Sequence, residues 1–276
     1  MEKPKVSIVI PVYKPDEKIF AKVKEMIKKQ TIKSEVIEMW NNPEAVSMNK
    51  GIMVAKGDIV VMLAQDCVPN QKDWLEKLIK PLENKIIVVT VSDLNLPEEF
   101  WKKYPLLTRI LTITDLGIRR PEMDARACAF RKKDLIDVGM FNEDPRVIAI
   151  DGDIGKRLIK VGKFFHPNVF VDHLHILDDK KKIKTMYNYA EANGKLIRKY
   201  KEEKESFWIV VIRSLPFFGM IPNLFFISHS KKLIYVGHYL IGTMIHNLIY
   251  IYGFWKGFLF NKESMRNKEV LQEKKA

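Results

Sequence analysis

The feature that most constrains this chain is the regular return of short, β-branched apolar runs between residues 6 and 91, each separated from the next by a helical stretch. "VSIVIP" is such a run, and a proline stop marks it as strand rather than helix. The spacing predicts strand Val6–Pro11, helix Asp16–Gln30, strand Glu35–Met39, helix Ala45–Ala55, strand Ile59–Leu63, helix Gln71–Glu83 and strand Ile86–Val91. Gly57 separates the second helix from the strand that follows. Strands that are apolar nearly throughout are buried on both faces, and the intervening helices supply the covering layers. The fold class is therefore α/β, a mostly parallel sheet flanked by helices. Ligands of such sheets bind beyond the carboxyl ends of the strands. "VVMLAQDCVP" places Asp66 at that edge.

The pattern loosens after Val91. Leu94 to Pro121 is aromatic-rich and interrupted by prolines, and is expected to be irregular. "DARACAFRKKDLIDVGMF" reads as a strand and a short helix ended at Gly139. "IDGDIGKRLIKVG" reads as a helix closed by Gly162, with Asp151 and Asp153 in the first turn, where the helix dipole favours carboxylates. A chain of 276 residues, 47% hydrophobic, can bury one large core or a core with a smaller appendage. Cys67 and Cys128 lack metal-finger spacing, and the first apolar run is too short for a secretory signal, so a reducing cytoplasmic setting is expected.

Four segments, taken in order, resemble the family 2 glycosyltransferases of GT-A fold: "VSIVIPVYK", "AVSMNKGIMVAKGDIVVMLAQDCVP", "DARACAFRKKDLIDVGMFNED" and "IDGDIGKRLIKVG". Each is weak alone; the order makes the resemblance specific over roughly residues 5–176. It implies a GT-A type nucleotide-diphospho-sugar transferase fold, with a catalytic domain at 1–176. The first segment corresponds to the nucleotide-contacting loop, which implies donor contacts at Pro11, Val12 and Tyr13. The second carries the "N-x-G-x-x-x-A-x-G" helix at Asn49 and runs into the D-x-D motif, which falls on Ala64, Gln65 and Asp66. Asp66 is the implied ligand of the Mg2+ or Mn2+ that bridges the donor diphosphate, a role suited to a hard oxygen donor; its bland alternative is a turn cap. Gln65 joins the donor contacts. "A-Q-D-C" also resembles the "T-Q-D-A" of the rhamnosyltransferase-like branch.

The chain departs from the family pattern in three places. Ala64 replaces the first acid of D-x-D, and Ile150 replaces the glutamate of "E-D-x-D", leaving Asp151 as the implied general base of an inverting transfer. At the end of the second strand, Trp40, Asn41 and Asn42 stand where an acidic pair is usual. Two readings are open there. Either Asn41 pairs with the donor base with Trp40 stacked on it, or the asparagines form a turn and Trp40 is core. "VFVDHLHI" puts His173 and His175 on one strand face. The resemblance makes His173 the better match to a metal-completing histidine, and a surface histidine pair is the ordinary alternative.

Charge divides unevenly along the chain. Of the net +13, residues 177–276 carry +9, from 18 basic and 9 acidic residues. That region joins a basic helical stretch, Lys180 to Lys204, to the apolar segments Phe207–Ser228 and Leu233–Trp255. The second is long enough for a bilayer span of about 20 residues, but His238, His246 and Asn247 interrupt it, so helices lying in the membrane interface are equally expected. The alternative is a helical subdomain packed on the catalytic domain. These features together predict a glycosyltransferase at the cytoplasmic face of the cell membrane, taking a nucleotide-sugar donor and a lipid-linked or envelope-glycan acceptor. The alternative is a catalytically weak relative that binds a nucleotide-sugar or a protein partner. No nucleic-acid module accompanies the basic charge, and no glycine-rich loop of a nucleotidyltransferase follows the first strand.

Overall fold

The computed structural model describes residues 6–121, 123–144, 150–199, 211–212, 214–221 and 233–260. Most of the apolar segment Phe207–Ser228, the end of the basic stretch and residues 261–276 lie outside the described residues.

The predicted alternation is present. In chain order, β1 (Val6–Val12), α1 (Glu17–Lys28), β2 (Glu35–Trp40), α2 (Glu44–Val54), β3 (Ile59–Leu63), β4 (Cys67–Pro69), α3 (Trp74–Ile79) and β5 (Ile87–Val91) follow one another. Asp16 caps α1 by accepting from the Ile19 amide. The two-residue period of the strands sorts their side chains into two cores. Ile8, Ile10, Val61 and Leu63 face one way, where Phe20 and Val23 of α1 and Trp74 and Leu78 of α3 cover them. Val9, Val60 and Met62 face the other way, against Met48 and Ile52 of α2. Gly57 is required by close approach, since a Cβ there would lie 2.7 Å from the Ser7 amide nitrogen.

The main sheet has the order β2-β1-β3-β8-β5-β9, with β8 (Ala127–Arg131) and β9 (Lys163–Phe165). Strand β8 runs antiparallel to both β3 and β5. It enters the sheet from the opposite end, so its first residues meet the carboxyl end of β3. Beyond β8, α6 (Lys132–Asp137) and α7 (Ile150–Leu158) add Leu135, Ile154 and Leu158 to the second core.

The region expected to be irregular is ordered instead. It contains β6 (Asp93–Leu96), α4 (Glu98–Trp101), α5 (Leu106–Leu111) and β7 (Gly117–Arg119). Their shortness hides them from periodicity, and they are fixed by tertiary pairing. Strand β6 joins a second sheet, β4-β10-β6-β7, in which β10 (Phe170–His173) runs antiparallel to β4. The helix expected over Gln71–Glu83 is also shorter, with 3-10 geometry from Lys80.

Helices α8 (Asp179–Lys199) and α9 (Val236–Leu259) pack against each other and against α5. Asp179 accepts from the Thr108 amide (2.7 Å) and hydroxyl (2.6 Å), tying the start of α8 to α5. Tyr239 of α9 joins a third core with Trp101, Tyr104 and Ile113. No described helix is long and apolar enough to cross a membrane. In α9 the expected 23-residue apolar segment is broken by His238, His246 and a buried Asn247, and Lys256 follows it.

Candidate active site

The site is assembled where the two sheets meet at the carboxyl end of β3. Strand β4 starts one residue after Asp66, and β10 pairs with it so that His173 stands opposite Cys67. The Leu174 amide then donates to the Asp66 carbonyl at 2.8 Å. This backbone register delivers both histidines to one carboxylate. His175 Nδ1 lies 2.5 Å from Asp66 Oδ2, and His173 Nε2 lies 3.6 Å from the same oxygen. The imidazoles stack with centroids 5.7 Å apart. His175 falls beyond the end of the strand, yet it makes the shorter contact.

Burial by itself pushes the Asp66 carboxyl up, but the hydrogen bonds and electrostatic attraction of His173 and His175 outweigh it and hold the group well below the usual carboxylate range. Asp66, His173 and His175 place one donor atom each within 4.8 Å of one another, an arrangement able to hold a metal ion. One carboxylate and two imidazoles form a mixed oxygen and nitrogen set of the kind that suits divalent transition metals.

Around this trio lies a shell that the sequence reading passed over. Arg126 NH1 is 3.3 Å from His173 Nδ1. The same guanidinium is clamped by Asp124, which accepts from Arg126 Nε at 2.8 Å and also from NH2 and the backbone amide. Tyr104 donates its hydroxyl to the His175 carbonyl at 2.5 Å. The alternating Asp124-x-Arg126 just ahead of an apolar strand was the available signal. It became meaningful only once β8 proved antiparallel, which puts its start beside Ala64, whose amide donates to the Arg126 carbonyl at 2.8 Å.

Asp151, in the first turn of α7, lies within electrostatic reach of both Asp124 and Arg126. Its carboxyl is raised above the ordinary value, first by burial and then by the negative charge of Asp124. The Gly152 amide, donating at 2.9 Å, and Arg126 oppose the rise. Asp153 pairs with Arg157 at 2.6 Å, one turn along the same helix.

The remaining sequence-predicted residues separate into two groups. Tyr13 and Gln65 join β1 to β3, because Gln65 Oε1 accepts from the Tyr13 amide (2.8 Å) and Gln65 Nε2 donates to the Tyr13 carbonyl (3.0 Å). Pro11 and Val12 end β1 beside this clasp, and the Asn41 amide donates to the Val12 carbonyl at 3.0 Å. Asn41 has φ of 56°, a left-handed conformation that asparagine tolerates. Trp40 is 44% exposed, edge-on to Phe20, so it is not core. Asn49 is engaged elsewhere. It is buried, donating to the Phe141 carbonyl and Glu143 and accepting from the Phe141 amide, a link from α2 to the chain beyond α6.

The Glycosyl transferase family 2 model matches residues 16–139, reaching Asp66, Asp124 and Arg126 but not Asp151, His173 or His175. Among solved structures, the chain is similar to the mannosyltransferase PcManGT from Pyrobaculum calidifontis in complex with GDP-Man and Mn2+. The identity is 15% and the TM-score 0.63, covering 95% of this chain and 89% of that one. It is also similar to GalNAc-T7 with UDP, GalNAc and Mn2+, at 16% identity and TM-score 0.51, covering 77% of this chain and 52% of that one. No curated protein sequence matches the chain. At such identities the structural likeness carries the fold alone. Residues 16–139 match the family 2 glycosyl transferases, and the chain has a fold similar to that of these two transferases.

Proposed function

We propose that this chain moves a sugar, with inversion, from a nucleotide-diphospho-sugar to a hydroxyl of a lipid-linked or envelope-glycan acceptor. The reading rests on one observation, the continuous line from the Asp66, His173 and His175 trio through Arg126 and Asp124 to Asp151. Both solved relatives named above hold Mn2+ with a nucleotide or nucleotide-sugar, and the trio fits such an ion. An imidazole donor beside the Asp66 carboxylate favours Mn2+ over Mg2+, which prefers oxygen ligands and retains its waters. When bound, the ion neutralises charge on the departing diphosphate.

Chain residues carry the other steps. The loops after β1 and β2, braced by the Tyr13–Gln65 clasp, position the donor base and ribose, with Asn41 and the exposed face of Trp40 available to the base. Asp151, ionised, accepts the acceptor hydroxyl proton as that oxygen bonds to the anomeric carbon. The bond from that carbon to the phosphate oxygen breaks, and the nucleoside diphosphate leaves. The raised Asp151 carboxyl matches a base that must hold a proton through the transition state. Arg126 and Asp124 keep His173 oriented.

We place the reaction at the cytoplasmic face of the cell membrane, with residues 1–176 as the catalytic domain and 177–276 as the membrane-facing extension. The test is a panel of nucleotide-sugars with and without Mn2+, read by thermal stabilisation and by release of nucleoside diphosphate. Stabilisation with turnover supports transfer. Stabilisation without turnover on any acceptor or water favours the non-catalytic binding reading that Ala64 and Ile150 raise.

A further inference from the structure

Helix α9 is arranged inside out for a helix in water. Its buried positions are Tyr239, Gly242, Thr243, Asn247, Gly253, Phe254 and Gly257, small or polar for the most part. Large apolar side chains point outward: Leu240, Met244, Leu248 and Tyr252, spaced by four, with Ile241 and Leu259 beside them. Leu248 is 66% exposed and Tyr252 67%. A helix packing onto a soluble core shows the opposite distribution.

The contact with α8 has the same character. A Cβ on Gly257 would lie 1.9 Å from the Glu191 carbonyl oxygen, one on Gly253 would lie 2.8 Å from the Ala190 Cβ, and one on Gly194 would lie 2.1 Å from the Phe254 carbonyl oxygen. The two backbones therefore meet through glycine and alanine, a packing mode that leaves the bulky residues for an apolar solvent. Charge agrees with this picture. The outward stripe carries none, Lys256 stands one turn beyond Tyr252, and Lys180, Lys181 and Lys184 are exposed at the start of α8. Near the C-terminal half of the helix, Trp255 donates to the Ser214 carbonyl at 3.3 Å, which holds the exposed Phe217 and Phe218 close by.

We propose that the outer face of α9 is a membrane-docking surface, with the helix lying along an anionic leaflet, its apolar stripe among the acyl chains and the lysines at the headgroups. The helix is not a span, given Lys256 and the buried Asn247. The surface has a consequence for the site. Tyr235, just before α9, stacks edge-on against Trp101 at 5.0 Å, and Tyr104, in the same aromatic core, donates to the His175 carbonyl. The trio is thus fastened beside the membrane-facing helix, which suits an acceptor presented from the lipid surface. Only this consequence rests on the transferase reading.

Vesicle flotation of the full chain tests the surface, using phosphatidylcholine vesicles with and without phosphatidylglycerol, at low salt and at about 0.5 M salt. The wild type is expected to float with the anionic vesicles and to lose only part of this binding at high salt. The double variant Met244→Glu, Leu248→Glu is expected to partition at least about tenfold less while keeping its circular dichroism and its Mn2+-dependent stabilisation by nucleotide-sugar. Asp66→Ala must still float, so a failed donor site and a failed surface read out separately. The proposal is overturned if the wild type ignores all vesicles, if the double variant floats like wild type, or if light scattering reveals a dimer that the double variant disperses without any vesicle binding.

Discussion

Arg126 NH1 lies 3.3 Å from His173 Nδ1, and this contact makes the two site histidines unequal. A guanidinium only donates, so Nδ1 of His173 accepts and the ring proton sits on Nε2, facing Asp66 at 3.6 Å. His175 meets Asp66 through Nδ1 at 2.5 Å and can give up that proton when a cation arrives.

The first prediction follows from this asymmetry. His175→Ala should weaken Mn2+ binding at least about tenfold more than His173→Ala, whose loss should resemble that of a supporting residue, on the order of tenfold. Calorimetric titration with Mn2+ ranks the two, and the reverse order contradicts the tautomer assignment.

Asp151→Asn should leave nucleotide-sugar affinity within a few-fold and lower turnover by on the order of a hundredfold or more. The same variant should be more stable than wild type at neutral pH. A carboxyl whose folded pKa is raised, here by burial and then by Asp124, stabilises the fold fully only below its unfolded pKa, and that contribution is lost as pH rises through the folded value. Removing the charge should therefore raise the melting temperature at neutral pH. Turnover near wild type would remove Asp151 from the mechanism.

The acid limb of kcat/KM should carry the same signature. If Asp151 is the base, as proposed, it must be ionised for transfer, and the rate should climb with pH through a single protonation whose midpoint lies above the ordinary carboxylate value. In Asp151→Asn this limb should be absent from the residual rate; a limb that persists unchanged would assign the titration to another group.

Asp124 is buried and its partner Arg126 half-buried, and removing the aspartate strands the guanidinium. Asp124→Ala should destabilise the fold by about 1–3 kcal/mol, measurable by urea denaturation. The Asp124→Leu, Arg126→Met double variant should recover much of that loss yet bind Mn2+ more weakly than wild type, because His173 loses the contact that orients it. Wild-type Mn2+ affinity in the double variant would reduce the pair to a packing role.

The sequence was most informative where local pattern and tertiary environment agree. Val6–Val12, apart from Ser7, and Ile59–Leu63 are apolar because both of their faces are covered, so their strands and the position of Asp66 could be read directly. Strands β4, β9 and β10 are three or four residues long, too short for any period to register, and their existence depends on partners distant in the chain. The same cause hid the site's second half. His175 lies past the end of β10, where the motif match favours His173 instead, and Arg126 becomes relevant only through the antiparallel entry of β8. Asn49 and Gln65 matched motif positions, but that match could not disclose that their amides are engaged with the chain's own backbone. Along Leu233–Trp255, composition showed apolarity but not which face was buried, and the inverted face of α9 emerges only from its packing on α8.

Binding of a nucleotide-sugar to Asp66→Ala, measured calorimetrically with and without Mn2+ and beside the wild type, tests the central claim most directly. Asp66 anchors the trio and is held ionised by both histidines. The wild type should bind the donor at least about tenfold more tightly with Mn2+ than without it, and the variant, with an unchanged circular dichroism spectrum, should show no such difference. Undiminished Mn2+-dependent donor binding by Asp66→Ala would contradict the account.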